Sequence, residues 1–164
     1  MRILGIDPGT RLCGYGVIEV LAGQQPRYVE CGVLQLDVKL ALPRRLHQLW
    51  QELREVVSEL RPHEMALESI FHGVNAQSAL RLGYARGVIM LLAMDSALTL
   101  HEYPPATVKR AVAGHGRASK EEVQRMVGWR CGLKSALQAD AADALAVALC
   151  HAQHRSVPAP LRTV

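Results

Sequence analysis

Hydrophobic positions in the first part of the chain predict three consecutive strands. Residues 3–6 form a short apolar run that Pro8 and Gly9 close, and two further strand patterns cover 14–20 and 28–36. Three strands joined by short links are typical of an antiparallel meander.

After Pro43 the pattern takes the period of helices. Apolar residues recur at i, i+3 and i+4 as far as Pro62, which predicts an amphipathic helix. The patterns that follow are a strand at 65–70, a helix at 75–95, a strand at 98–103, and helices at 107–113, from 119 onwards and at 139–154. Asn75 can cap the long helix, and Ser119 with Glu122 fits a capping box. This order predicts an α/β fold with a five-stranded mixed sheet and helices on both faces.

Composition limits the possible classes of protein. The chain has 164 residues, 49% of them hydrophobic, which suits one domain at 1–154; the segment 155–164 has no periodicity and is expected to be a disordered tail. No apolar run approaches the roughly 20 residues of a membrane span, so no membrane role is expected. The four cysteines form no CxxC pair and no signal peptide is recognised, which predicts reduced thiols in a cytoplasmic protein. The net charge of +4 permits an anionic partner.

Four acidic residues stand in the most apolar parts of the chain: Asp7, Glu68, Asp140 and Asp143. A buried carboxylate without a partner costs several kcal/mol. Asp140 and Asp143 share one helical face, where two like charges repel each other. Each acid alone has a local explanation, such as a turn hydrogen bond for Asp7, solvent exposure for Glu68 or the first helical turn for Asp140.

Together, the four carboxylates predict a site for hard cations. Oxygen ligands suit Mg²⁺ or Mn²⁺. Two such ions about 3.5–4 Å apart would neutralise the four carboxylates and activate a water molecule against a phosphodiester.

The sequence resembles the RuvC family of Holliday junction resolvases over about residues 1–152. The segments that carry the resemblance occur in family order: GIDPGT, GYGVI, ALESIF, NAQSALRLGYARG, VKRAVAGHGRASKEEVQ and QADAADALAVA. The resemblance implies a ribonuclease H-like fold and a homodimeric endonuclease that resolves four-way DNA junctions in recombination and repair. It also implies paired symmetric nicks, two Mg²⁺ ions per active site with Mn²⁺ as a substitute, and a branch-migration motor complex of the RuvA–RuvB type as a partner.

The resemblance also implies roles for individual residues. Asp7, Glu68, Asp140 and Asp143 match the catalytic, metal-binding acids; Phe71 matches an aromatic residue that stacks on junction bases; Lys109 and Lys120 match residues for DNA binding and catalysis.

The residues themselves support DNA contacts in this part of the chain. Phe71 is the only phenylalanine and lies in a predicted loop, so it could enter between unstacked bases or fill the core beneath that loop. Lys109, Arg117 and Lys120 flank a loop with two glycines ahead of a helix N-terminus. A solvated basic face would be the default for Lys120 alone, but its place beside this loop favours contact with DNA phosphates. Arg81 and Arg86 are further candidates for DNA binding, but they fall on different faces of one helix, so both cannot face DNA equally.

Small residues recur in the helix at 75–95. Ala79, Gly83 and Gly87 are spaced four apart, which permits close helix approach. Burial against the sheet would explain this row, and so would a twofold dimer interface. The second explanation is preferred because a resolvase must cut two equivalent strands.

Three other functions fit parts of the pattern. GIDPGT also resembles the phosphate loop of actin-like ATP-binding domains, but these need a second domain of the same kind. A non-catalytic junction-binding protein would keep the fold, with the acids serving structure alone. A nuclease of the same fold that prefers RNA is the third alternative.

The end of the last predicted helix carries possible zinc ligands. Cys150 and His154 are spaced i, i+4, and His151 stands between them. A zinc site would need further ligands, and no second cluster along the chain has suitable spacing.

Overall fold

The computed structural model describes residues 1–69, 75–133, 135 and 137–155. The strands are β1 (Arg2–Asp7), β2 (Leu12–Glu19), β3 (Arg27–Gln35), β4 (Glu64–Glu68) and β5 (Thr99–Tyr103). The helices are α1 (Leu42–Leu60), α2 (Ala76–Asp95), α3 (Pro105–Ala113), α4 (Lys120–Arg130) and α5 (Ala139–Arg155). Phe71 and residues 156–164 of the predicted tail lie outside the described residues.

The strands form one mixed sheet in the order β3-β2-β1-β4-β5. β1, β2 and β3 pair antiparallel, which confirms the predicted meander. β4 and β5 add in parallel on the other side of β1. β1 therefore lies at the centre of the sheet, and its C-terminal end meets the C-terminal end of β4 at the same edge.

Helices cover both faces of the sheet, as predicted. One apolar core joins the sheet to α1 and α2 and includes Leu53 and Ile89. The other joins it to α3, α4 and α5 and includes Val108, Val127 and Leu145. In the part of the chain that the structure describes, no helix is long and apolar enough to cross a membrane.

Two glycines let α5 approach the sheet closely. A Cβ atom on Gly5 of β1 would collide with the Ala144 carbonyl oxygen, and one on Gly14 of β2 would collide with the carbonyl oxygen of Asp140. Because the missing side chains leave this space, the helix backbone lies directly against the strands. The close approach fixes the height of Asp140 above the sheet.

The helix termini follow the local sequence signals. The Asn75 side chain accepts a hydrogen bond from the Ser78 backbone N–H, and Ser119 with Glu122 forms the full capping box. α5 differs from the prediction by one residue, since it ends at Arg155 rather than at residue 154. The Arg155 Nε donates to a Glu64 carboxylate oxygen at 2.9 Å, which ties the last residue to β4.

Candidate active site

Two of the predicted acids stand at the ends of neighbouring parallel strands. Asp7 is the last residue of β1 and Glu68 the last of β4, and the register pairs Ile6 with Leu67 immediately before them. Both strands have fully buried interiors, so the two carboxylates emerge where the hydrophobic core ends. The strand ends hold them as neighbours on a rigid support.

The other two acids come from the first turns of α5. Asp140 lies beside Gly14, which is the β2 partner of Asp7. Asp143 is one turn further along α5 and interacts electrostatically with both Asp7 and Glu68. The fold therefore brings the four predicted carboxylates together at one edge of the sheet, from three distant parts of the sequence.

Burial and neighbouring negative charges make the carboxyl groups of Asp7 and Glu68 harder to ionise. Burial raises the pKa of Asp7 to about 7, and the charges of Asp143, Glu68 and Asp140 add to the effect while Lys120 opposes it. Burial also raises the pKa of Glu68, with Asp143 contributing, although Lys109, Lys120 and Arg86 oppose the shift. The group is short of positive charge.

Lys120 supplies part of the missing charge. Its Nζ lies 2.7 Å from Asp143 Oδ2, and this hydrogen bond raises the pKa of the lysine. Lys120 and Lys109 line a cavity of about 160 Å³ together with Glu68 and Asp143. Among the described residues, no three of the four acids have carboxylate oxygens within 4.8 Å of one another.

The comparisons with known proteins agree over nearly the whole chain. The family model for the crossover junction endodeoxyribonuclease RuvC matches residues 3–151. The chain is 45% identical over 164 residues to the RuvC of Geobacter metallireducens, with 100% of this chain and 99% of the relative covered. It is 49% identical over 152 residues to the RuvC of Bordetella pertussis, with 93% and 83% covered. The chain belongs to the RuvC family.

Solved structures of known proteins have the same fold as this chain. Thermus thermophilus RuvC in complex with a Holliday junction substrate matches with a TM-score of 0.88 and 35% identity, covering 94% of each chain. The fowlpox virus resolvase shares only the fold, with a TM-score of 0.61 and 9% identity. The resemblance and the ribonuclease H-like fold are thereby confirmed, and the match favours a nuclease over the actin-like alternative.

Of the predicted DNA-contacting residues, Lys109 and Lys120 lie beside the carboxylates. Lys109 is half-buried and lies in the cavity with Lys120, whereas Arg117 is exposed in the turn between α3 and α4. Arg81 is exposed on α2. Phe71 lies outside the described residues, so its stacking role stays a prediction.

Arg86, which the sequence suggested only as a possible DNA contact, is instead buried beside the site. Its side chain is buried on the sheet side of α2, where Nη1 donates to the Glu68 carbonyl oxygen and Nη2 lies 2.6 Å from Glu102 Oε1. The guanidinium thus joins the end of β4 to β5 directly beneath a predicted catalytic acid. Arg86 is spaced i, i+3 from Ile89 on the buried side of α2. This spacing indicates burial, but a charged side chain is normally expected to face solvent, so the sequence did not predict it.

Proposed function

We propose that this chain resolves four-way DNA junctions by paired, symmetric nicks, with phosphodiester hydrolysis at the four carboxylates. The observation that carries the proposal is the convergence of Asp7, Glu68, Asp140 and Asp143 at one edge of the sheet, with the pKa of Asp7 raised to about 7 by burial and by the other three acids. A fold that served stability alone would not place three further carboxylates where their charges raise the pKa of the buried Asp7.

The donor set fits divalent magnesium. The four carboxylates form an all-oxygen set, which prefers Mg²⁺ and accepts Mn²⁺. We assign Asp7, Glu68, Asp140 and Asp143 as the residues that hold two ions. When bound, the ions would activate a water molecule and stabilise the leaving oxygen. Because the acids repel each other, a cation is expected to draw their oxygens closer than they lie in the metal-free protein.

Two lysines complete the charge of the site. The Lys120 Nζ pairs with Asp143 at 2.7 Å, and its half-exposed ammonium can contact a phosphate at the mouth of the cavity. Lys109 lowers the pKa of Glu68 from the other side of the same cavity. In this proposal the two lysines hold the scissile phosphate against the acids, while Arg117 and Arg81 contact phosphates further away. Phe71 is proposed to stack on the bases at the junction.

A second copy of the chain is proposed to pack on the outer face of α2. This face carries four exposed apolar side chains: Leu80 at 56% exposure, Tyr84 at 46%, Leu91 at 58% and Met94 at 60%. Gly83 and Gly87 lie among them, and a Cβ atom added to either glycine would meet nothing within 4 Å. Large apolar side chains around two glycines suit the close, self-complementary contact of a twofold dimer.

The proposed dimer interface on α2 can be tested by measuring the oligomeric state. Sedimentation at micromolar concentration should show a dimer, and Leu91→Glu should make the protein monomeric. A wild-type monomer would contradict the proposed interface. The branch-migration motor complex and the cytoplasmic location stay predictions from sequence.

The activity can be tested by adding the metal last. A synthetic four-way junction is bound in EDTA, Mg²⁺ is then added, and both nicks are mapped at nucleotide resolution. The proposal expects paired nicks at symmetric positions, and Asp7→Asn should bind the junction without cutting it. Stable binding without nicking by the wild-type protein would make the acids structural and the protein a junction-binding module. Preferred cutting of an RNA–DNA hybrid would make it a nuclease for RNA.

A further inference from the structure

A second group of potential metal ligands lies at the opposite end of β4 from Glu68. Glu64 is the first residue of β4, His101 lies in β5 and His151 lies near the end of α5. One ligand atom from each of the three residues lies within 4.8 Å of the other two. Among the described residues this is the one group of three or more such ligands.

His151 is fixed at the centre of this group. Its side chain is fully buried, with Nε2 lying 2.7 Å from Glu64 Oε2 and Nδ1 lying 2.7 Å from the Tyr103 hydroxyl. The ring of His101 stacks on the ring of His151, with centroids 4.3 Å apart. In the described part of the chain, the His101 side chain makes this ring contact and no hydrogen bond.

The surroundings of His151 and Glu64 favour the charge states that a metal ion requires. Burial lowers the pKa of His151, and the hydrogen bond to Glu64 opposes this shift only in part, so the imidazole is neutral at neutral pH. Burial would raise the pKa of Glu64, but hydrogen bonds from His151 and Arg155 bring it below its ordinary value. These directions favour a neutral imidazole at His151 and an ionised carboxylate at Glu64, which are the forms that bind metals.

We propose that Glu64, His101 and His151 form a binding site for a divalent transition metal of the zinc class. Two nitrogens and one carboxylate oxygen suit Zn²⁺ and Co²⁺ and disfavour Mg²⁺, and water can fill the fourth position. His151 would bind through Nε2 and keep its proton on Nδ1, where the Tyr103 hydroxyl oxygen accepts it. A hydrogen-bonded second nitrogen of this kind commonly orients a metal-binding histidine.

The proposed site is separate from the catalytic carboxylates. Glu64 and Glu68 are four residues apart in one strand, which is about 13 Å. His151 and Asp143 are eight residues apart in one helix, which is about 12 Å. One ion cannot serve both groups, so the second site would join β4, β5 and α5 without taking part in hydrolysis.

Arg155 sets the affinity of the site. Its Nε lies 2.9 Å from Glu64 Oε1, while Oε2 faces His151. Because the guanidinium occupies Oε1, Glu64 can offer Oε2 to a metal. The positive charge of Arg155 would nevertheless repel a cation bound at Oε2. The side chain is 49% exposed and can turn away into solvent. Replacing Arg155 with glutamine should therefore tighten metal binding.

Zinc titration in excess Mg²⁺ tests the proposal, because Mg²⁺ fills the carboxylate site and leaves the nitrogen ligands free. Calorimetry with ZnCl₂ should show one ion bound per chain, and CoCl₂ should give the intense visible absorption of a tetrahedral site. His101→Gln and Glu64→Gln should each weaken binding by about tenfold or more. Arg155→Gln should strengthen it several-fold, and His47→Gln, an exposed histidine on α1, should change nothing.

Three results would overturn the proposal. The first is the absence of Zn²⁺ binding in excess Mg²⁺. The second is binding that His101→Gln leaves unchanged, and the third is binding that disappears in Asp7→Asn, which would place the ion on the catalytic acids. The side chain of His101 is half-buried and makes no hydrogen bond in the described structure, so its glutamine variant should fold even if substitution of the buried His151 does not.

Discussion

Replacing Asp7 with asparagine should stabilise the metal-free protein, and the gain should grow with pH. The Asp7 carboxyl group is buried beside three other acids, which raises its pKa from 3.8 to about 7. Ionisation is therefore easier in the unfolded chain than in the folded one. Asparagine has nearly the same shape and carries no charge, so it should remove this cost without removing the packing.

The sign and size of the effect follow from the two pKa values. Below pH 3.8 the carboxyl is protonated in both states and costs nothing. As the pH rises towards 7, the unfolded state releases its proton first and the folded state loses stability. The full shift corresponds to about 4 kcal/mol, reached near pH 8, and about 2 kcal/mol is reached at pH 5.

Urea unfolding in EDTA at pH 5 and pH 8 measures this difference. The free energy of unfolding of Asp7→Asn should exceed that of the wild type at both values, and by about 2–3 kcal/mol more at pH 8. Asp95→Asn is the matched control: Asp95 is exposed at the end of α2, and the change should be about 0.5 kcal/mol or less.

Magnesium should reduce the stability advantage of Asp7→Asn over the wild type. If Asp7 binds the ion, Mg²⁺ stabilises the wild type by mass action and leaves the variant nearly unchanged. If Asp7→Asn in EDTA exceeded the wild type in free energy of unfolding by the same amount at pH 5 and pH 8, the electrostatic reasoning would be refuted. A wild type that gains no stability from millimolar Mg²⁺ would refute the metal assignment.

Three further substitutions test how the fold supports the site. Arg86→Lys should lower the nicking rate about 10- to 100-fold at saturating junction and leave junction affinity nearly unchanged, because it loosens the end of β4 that carries Glu68; equal losses in both would contradict a positioning role. Lys120→Gln should move the rising part of the pH–rate profile to higher pH, because Lys120 lowers the pKa of Asp7; an unmoved profile would exclude that coupling. Gly5→Ala should destabilise the fold by about 1–3 kcal/mol in urea unfolding, since its methyl group collides with the α5 backbone; a neutral result would show that the helix can move away.

The sequence predicted the architecture well where a local signal was strong. The period-2 and period-3.6 patterns located every strand and helix, and the capping residues Asn75 and Ser119 marked two helix starts. Boundaries moved by one or two residues because pairing partners decide them. β1, for example, continues through Asp7 because the residue pairs with Gly14 of β2.

Site residues could be predicted from sequence where an acidic residue interrupts an apolar run. They could not be predicted where only contacts in the folded structure explain why a charged residue is buried. Asp7 and Asp143 stand out because nothing in their local sequence compensates them. In the sequence, Arg86 looks like an ordinary basic residue on a helix. Only the structure shows why it is buried, because its guanidinium pairs with Glu102 on β5. Similarly, the local sequence pairs His151 with Cys150 and His154 as possible zinc ligands, and only the structure shows that Glu64, 87 positions away, contacts its ring.

The alanine-rich composition of α5 now has a physical explanation beyond helix propensity. Asp140 and Asp143 are short side chains, so they can reach the strand-end acids only if the helix axis lies unusually near the sheet. Alanines on the helix, such as Ala144 and Ala148, and the missing side chain of Gly5 provide that approach. Larger residues would strengthen the apolar contact, as they do on the α1–α2 face, but they would lift the two aspartates away from Asp7. We infer that the small residues on α5 and on β1 serve to bring the carboxylates together. In the absence of a cation, the contact between the helix and the sheet must compensate for the repulsion between these acids.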